Sequence, residues 1–333
     1  MFSIGILGFI VWSLMALLFS DLEVTNISIC WYSFIGFNTS NTTILGNNLN
    51  LDTSSASNLL FIASKTLKNS SSNISNFSDF YSHHFFVDPD WLTWFIGFTE
   101  GDGSIITDKN GRLFFVLTQN EESILLHIKS VLGFGNVVYG PNVLSYRYKV
   151  YDQESLHKLA YLFNGNLFLD NRMNLLASWI NVLESKYYPI SLNSTKFLPT
   201  LYDYWLSGFT DAEGCFNVSV YACATYTSGF RMNLRYLLDL KNKGALQYIA
   251  KLFNSGGVSL RSKTNGVYRY KIDSFNNTAS VVKLRYLKDY PLKTKKFRAF
   301  VKWCNIRNML LRQEHLTQSG LDRIRELAVK VNK

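Results

Sequence analysis

No two of the four cysteines (Cys30, Cys215, Cys223 and Cys304) form a CxxC pair, and the five histidines show no metal-ligand spacing. Neither a zinc module nor a disulfide scaffold fits that arrangement. Acidic residues are also in deficit. Asp and Glu number 24 against 34 Lys and Arg, a formal charge of +10 with a pI near 9.3. The deficit favours a polyanionic partner, either nucleic acid or an anionic membrane. It is unevenly spread: residues 1–85 set Lys65 and Lys68 against Asp21, Glu23, Asp52 and Asp79, a net of −2, so the rest of the chain carries +12. From Tyr290 onward there are eleven Lys and Arg against Glu314, Asp322 and Glu326.

Charge is missing altogether from Met1 to Phe19. Nineteen uncharged, mostly apolar residues are about the minimum that spans a bilayer. The stretch reads as a membrane or targeting segment, with a buried core helix as the alternative. It has no basic region before it and no A-x-A site after it, so it does not fit a secretory signal. Its FSIGILGFIVWS resembles a membrane-helix segment of mitochondrial cytochrome c oxidase subunit 1. Apolar residues are in turn scarce over 38–76, where Asn, Ser and Thr fill 23 of 39 positions. Such a composition cannot bury enough apolar surface to offset ordering, so it reads as a disordered linker. Its sequons at Asn38, Asn41, Asn69 and Asn73 would suit a glycosylated ectodomain, but chance sequons in an Asn/Ser/Thr tract are the simpler account.

From Asp88 onward the chain has the apolar content for a core, 47% hydrophobic and 15% aromatic overall, and it repeats itself. WFIGFTEGDGSI (Trp94–Ile105) aligns with WLSGFTDAEGCF (Trp205–Phe216), and YRYKV (Tyr146–Val150) returns as YRYKI (Tyr268–Ile272). Shared order and spacing indicate a duplicated unit of 110–120 residues. Periodicity predicts helix, hairpin, helix, hairpin, helix in each unit. In the first, a helix over 91–102 is capped by Asp90 and ended by Gly103, and strands at 104–108 and 112–119 flank a turn at Lys109-Asn110-Gly111. A helix over 121–132, strands at 135–139 and 145–151, and helices over 154–164 and 172–184 follow. The domain expectation is an apolar, exon-derived segment at 1–20, a linker at 21–85, a first half at 86–190, and a second half at 198–333 with a basic C-terminal helix.

Gly97 and Gly101 lie four apart on one helix face, as do Gly208 and Ala212. Small residues at that spacing let two helix backbones approach closely. If the repeats pack through these faces, Glu100/Asp102 and Asp211/Glu213 meet at two helix C-termini. The helix dipole is negative there too, so a cation is needed. A hard divalent ion, Mg²⁺, held by carboxylate and carbonyl oxygens resolves the conflict and suits phosphodiester hydrolysis.

At these residues the chain resembles the LAGLIDADG family of homing endonucleases and intron maturases, through FIGFTEGDG (Phe95–Gly103) and LSGFTDAEG (Leu206–Gly214) over roughly residues 88–310. The resemblance implies an α+β monomer of two tandem αββαββα halves related by a pseudo-twofold axis. Asp102 and Glu213 would be catalytic metal ligands, with the carbonyls of Gly101 and Ala212 beside them, and Glu100 and Asp211 would be structural. It also implies catalytic roles for Gln119, aligned in the second half with Leu240 beside Lys241, and for Lys295. For the lysine the first half offers Asn171 or Arg172.

Arg231, Asn233 and Arg235 alternate with Met232, Leu234 and Tyr236, which puts the polar set on one sheet face. Arg147 and Lys149, Arg269 and Lys271, and Asn217, Ser219 and Tyr221 alternate in the same way. An ordinary solvated face would look like this on any one strand, but several such strands offer what base edges in the major groove require. The resemblance implies that these faces form saddles on duplex DNA, with Ser104, Arg112 and Lys241 joining the contact set. The expected protein is therefore a mitochondrial, intron-encoded endonuclease that cuts a long asymmetric DNA target with Mg²⁺. It would touch membrane only through residues 1–20, if these are retained. The rival reading is a maturase that binds its own intron RNA.

Overall fold

The computed structural model describes residues 87–141, 144–186, 190–226, 228–273 and 285–332. The apolar segment, the linker and the sequons lie outside the described residues. Among those described, no helix is long and apolar enough to cross a membrane.

The first helix, α1 (Pro89–Asp102), opens with proline, whose missing N–H costs nothing in a first turn. Its cap is Asp88, not Asp90: the Asp88 carboxylate accepts the Asp90 N–H at 3.0 Å. Asp90 is already helical, because Pro89 fixes the helical φ one residue earlier than the polar pattern suggests. Strands β1 (Gly103–Thr107) and β2 (Leu113–Gln119) form a hairpin. In its turn Asp108 Oδ1 accepts the N–H groups of Asn110 and Arg112, both at 2.8 Å, and Gly111 takes φ +71°. Helix α2 (Glu122–Leu132), strands β3 (Asn136–Gly140) and β4 (Ser145–Val150), and helices α3 (Gln153–Phe163) and α4 (Asp170–Lys186) complete the unit. The second unit repeats the order: α5 (Trp205–Glu213), β5 (Gly214–Ala222), β6 (Phe230–Leu240), α6 (Lys243–Leu252), β7 (Gly257–Ser262), β8 (Val267–Ile272), a helical stretch over 285–289 and α7 (Lys296–Leu311). A final helix, α8 (Gln318–Lys330), follows.

Each unit builds one four-stranded antiparallel sheet, with orders β1-β2-β4-β3 and β5-β6-β8-β7. Alternation decides which side is dry. Leu113, Phe115 and Leu117 of β2, with Tyr148 and Val150 of β4, face the helices and are buried. Leu234, Tyr236 and Leu238, with Tyr270 and Ile272, do the same in the second sheet. Aromatic rings fill the space between: Phe95 packs on Phe115 and Phe163, and Phe216 on Tyr236 and Phe300. Truncating one such buried Phe to Ala costs about 3–5 kcal/mol.

The halves join along α1 and α5. A Cβ built on Gly97 would lie 2.0 Å from the Trp205 carbonyl oxygen, and one on Gly208 would lie 1.9 Å from that of Trp94. Only hydrogen fits at either place, so the two backbones run in direct contact. The helices are parallel: Gly97 faces Trp205 and Phe209, while Gly101 faces Ala212 and Glu213 one turn further on.

Candidate active site and nucleic-acid interface

Because α1 and α5 run parallel, their C-terminal ends arrive together, and with them Asp102 and Glu213. Burial pushes the Asp102 carboxyl up to about 6, against the pull of Lys296, a hydrogen bond from Gln119 and the Arg172 charge. Glu213 is pushed up to about 7, first by burial and then by the Asp102 charge. Two carboxylates thus share a confined place that disfavours both charges.

Two cations lean on this pair. Lys296 Nζ donates to the Ala212 carbonyl at 2.5 Å and the Thr210 carbonyl at 3.5 Å. Arg172 donates through Nε to the Glu100 carbonyl and through Nη2 to that of Gly101, both at 3.1 Å. Both carbonyls expected to bind metal, those of Gly101 and Ala212, therefore already accept one donor each. Burial lowers the pKa of Arg172 and of Lys296 while the carboxylates pull each back up.

The lysine whose side chain lies beside the pair is Lys296, where Lys295 was expected. Lys295 is exposed, and its backbone N–H donates to Glu121 Oε2 at 2.8 Å. Adjacent residues at a helix start point about 100° apart, so a one-residue shift decides which side chain reaches inward. In the first half the same place is taken by Arg172, while Asn171 is exposed. Gln119 Nε2 donates to Asp102 Oδ2. Its register equivalent is Leu240, since Gln119 pairs with Tyr146 and Leu240 with Tyr268. Lys241 is exposed in the turn before α6. The second half thus has no amide at this position.

The other two acids of the motifs are sealed away. Glu100 is 1% exposed and accepts from Phe168 N (3.0 Å) and Leu169 N (2.6 Å), just ahead of α4 in its own half. It also accepts from Trp205 Nε1 of the other half at 2.7 Å. Asp211, equally buried, accepts from Lys293 N, Thr294 N and Thr294 Oγ1 ahead of α7, and from Trp94 Nε1 at 2.9 Å. Burial lifts Glu100 to about 7 although its N–H donors favour the charged form.

Most of the expected contact residues sit on the outer sheet faces, away from the helices. Register sorts them into rows that step outward from the paired carboxylates. On the second face the first row joins Asp239 and Arg269, the next Cys215, Leu237 and Lys271, and the third Asn217, Arg235 and Asp273. Ser219 with Asn233 and Tyr221 with Arg231 form the outermost rows. On the first face Thr118 and Arg147 begin the series, Ser104, Val116 and Lys149 follow, and Ile106 with Phe114 come third. Arg112 lies off these rows, exposed at the hairpin turn and paired with Asp108 at 2.8 Å.

Two acids on the second face were missed. Asp239 Oδ1 accepts from Arg269 Nε at 2.7 Å and its Oδ2 accepts from Arg269 Nη2 at 2.8 Å, with Arg261 bound to the same carboxylate. Asp273 pairs with Arg235 at 2.8 Å and with Lys271 at 2.6 Å. Extending the period-two pattern four residues beyond Arg235, and two beyond Lys271, reaches both.

Three similarities bear on this architecture. A Neurospora crassa protein, probable intron-encoded endonuclease 4, is 37% identical over 77% of this chain and 47% of its own length, so the chain spans about half of that relative. The intron-encoded RNA maturase bI4 of Saccharomyces cerevisiae is 25% identical over 61% of this chain and 30% of its own. The crystal structure of the meganuclease I-SmaMI bound to uncleavable DNA covers 73% of this chain and 97% of its own, with a TM-score of 0.61 at 18% identity, a likeness of fold. The LAGLIDADG endonuclease profile matches residues 95–183 and 206–307, one region on each side of the α1–α5 contact. More than half of the sequence lies in those two regions, and the chain belongs to the LAGLIDADG endonuclease family.

Proposed function

We propose that this chain is a monomeric, site-specific endonuclease that hydrolyses both strands of duplex DNA at a long asymmetric target, the insertion site of its own intron. The observation that carries the reading is the meeting of Asp102 and Glu213 where α1 and α5 end and the two outer faces begin. Burial holds both carboxyls above their usual range, so a counter-cation stabilises their charged forms. No cluster of three His, Cys, Asp or Glu suited to a metal occurs among the described residues. Two carboxylates with carbonyl oxygens beside them fit Mg²⁺, which completes its shell with water and phosphate oxygens. When bound it would supply an activated water and stabilise the leaving oxygen.

The chain's own groups divide the remaining work. Gln119 fixes one Asp102 oxygen and so orients the other. Lys296 and Arg172 bring two positive charges beside the reacting phosphates, where negative charge develops. With Leu240 in place of an amide, the second half lacks the orienting contact that Gln119 makes in the first.

The intron-encoded relatives, and the likeness of FSIGILGFIVWS to oxidase subunit 1, support a mitochondrial location. Incubating the full chain with an intronless oxidase subunit 1 gene fragment and Mg²⁺ should give one discrete double-strand cut that chelation abolishes. Folded protein that binds no fragment and cuts none would defeat the reading. The yeast relative favours a second activity, assistance to splicing of the chain's own intron RNA. Splicing assays with Asp102→Asn and Glu213→Gln separate the two, because RNA binding needs neither carboxylate.

A further inference from the structure

The two outer faces are related by the repeat but differ in chemistry at matching places, most sharply in the third row. On the first face Ile106 stands opposite Phe114, whose ring meets Tyr151 edge-on at 5.5 Å and 83°. Ile106 is 40% exposed and Tyr151 50%. On the second face the matching row is Asn217, Arg235 and Asp273. Arg235 is pinned: its Nε donates to Asp273 Oδ1 at 2.8 Å and its Nη1 to Ser219 Oγ at 3.1 Å. The first row shows the same contrast. Asp239 holds Arg269 by two hydrogen bonds, whereas Thr118 stands across from Arg147, whose Nε is buried without a partner.

Apolar side chains favour the C5 methyl of thymine, whereas a guanidinium reads guanine O6 and N7. A carboxylate that fixes the guanidinium removes rotamer freedom before DNA arrives. It also cancels charge, so such an arginine contributes less to phosphate attraction and more to the choice of base. Alternate strand residues lie about 6.7 Å apart. With base pairs about 3.4 Å apart, the third row sits about four base pairs further from the centre than the first.

Resting on the endonuclease reading, we propose that the target is asymmetric in a defined way. At the third-row step the half-site under the first sheet presents thymine methyls to Ile106, Phe114 and Tyr151. The half-site under the second sheet presents guanine to Arg235, with Asp273 as its positioning residue.

The test uses the full chain and a duplex recovered from a randomised pool by binding. Deoxyuridine replaces thymidine at the third-row step of one half-site at a time, which removes only methyl groups and needs no protein variant. Affinity should fall about fourfold for each methyl in contact in the first half-site, and stay constant in the second. Changing G·C to A·T at the third-row step of the second half-site should weaken binding about 5- to 150-fold. Arg235→Gln should erase that preference. Asp273→Asn should reduce it while total affinity holds or rises and binding becomes more sensitive to salt. Equal responses of the two half-sites to uracil, or a guanine preference that persists in Arg235→Gln, would overturn the assignment while leaving a DNA-binding protein in place. Recovery of no duplex at all would instead remove the endonuclease reading, and this inference with it.

Discussion

Trp94 and Asp211, 117 residues apart in sequence, share a buried hydrogen bond of 2.9 Å from Nε1 to Oδ2. The repeat supplies the reciprocal pair, Trp205 Nε1 to Glu100 Oε2 at 2.7 Å. Each acid also holds the backbone ahead of a helix in its own half, so each ties its own helix start to the opposite motif helix.

Trp94→Phe keeps an aromatic ring but removes the pyrrole part of the buried indole and leaves Asp211 one donor short. Removing one partner from a buried polar group costs about 1–3 kcal/mol. Urea unfolding should show that loss for Trp94→Phe, and a similar loss for Trp205→Phe. A midpoint identical to that of the parent protein would mean that the indole N–H groups contribute nothing.

Gly97→Ala and Gly208→Ala put a methyl within 2.0 and 1.9 Å of a backbone carbonyl oxygen. Overpacking typically costs about 1–3 kcal/mol and more where neither side can move, as with two helix backbones. Thermal denaturation followed by circular dichroism should show a marked drop in Tm for both. A drop for Gly133→Ala through the same cause is not expected, because nothing lies within 4 Å of that site, although its φ of +76° strains any side chain.

Asp102→Asn and Glu213→Gln should lower cleavage by orders of magnitude while target affinity holds or rises, since the carboxylates face a polyanion. Lys296→Met should also slow cleavage, whereas Lys295→Met should leave the cutting rate close to that of the parent. Gel-shift and cleavage assays on one duplex separate the two effects. Equal loss for the two lysine variants would contradict the geometry.

Glu100, Asp102 and Glu213 are all held above the ordinary carboxylate range, at about 7, 6 and 7. Between pH 4 and 7 these three carboxyls therefore bind more protons in the native state than in the unfolded one, so their contribution to stability falls as pH rises through that window, opposed by His127 and His157, whose pKa values burial lowers. Tm of the metal-free protein should decline from pH 5 to pH 7.5. Asp102→Asn and Glu213→Gln should flatten the decline. Added Mg²⁺ should raise Tm more at pH 7.5 than at pH 5, because the carboxylates must be charged to bind it. A pH dependence of Tm that is unchanged in both variants would refute the assignment.

The repeated motif, its helix ends and the period-two strands were legible because each is a local pattern written twice. What stayed hidden depends on register or on three-dimensional approach. Which lysine comes beside the paired carboxylates turned on one residue in a KTKK run. Arg172 could be separated from Asn171 only by the helix face it occupies. Asp239 and Asp273 sit on strands already read as basic, but their pairing with Arg269 and Arg235 follows from the β6–β8 register, which no single strand encodes. The Trp–acid pairs span more than a hundred residues and join opposite halves.

In a self-paired homodimer, one substitution at a twofold interface is felt twice. Here the contact across α1 and α5 is made once by Gly97, Trp94 and Glu100 and once by Gly208, Trp205 and Asp211. A change on one side leaves its counterpart intact. The seam can therefore accumulate differences one at a time, and the two halves are free to diverge while remaining joined.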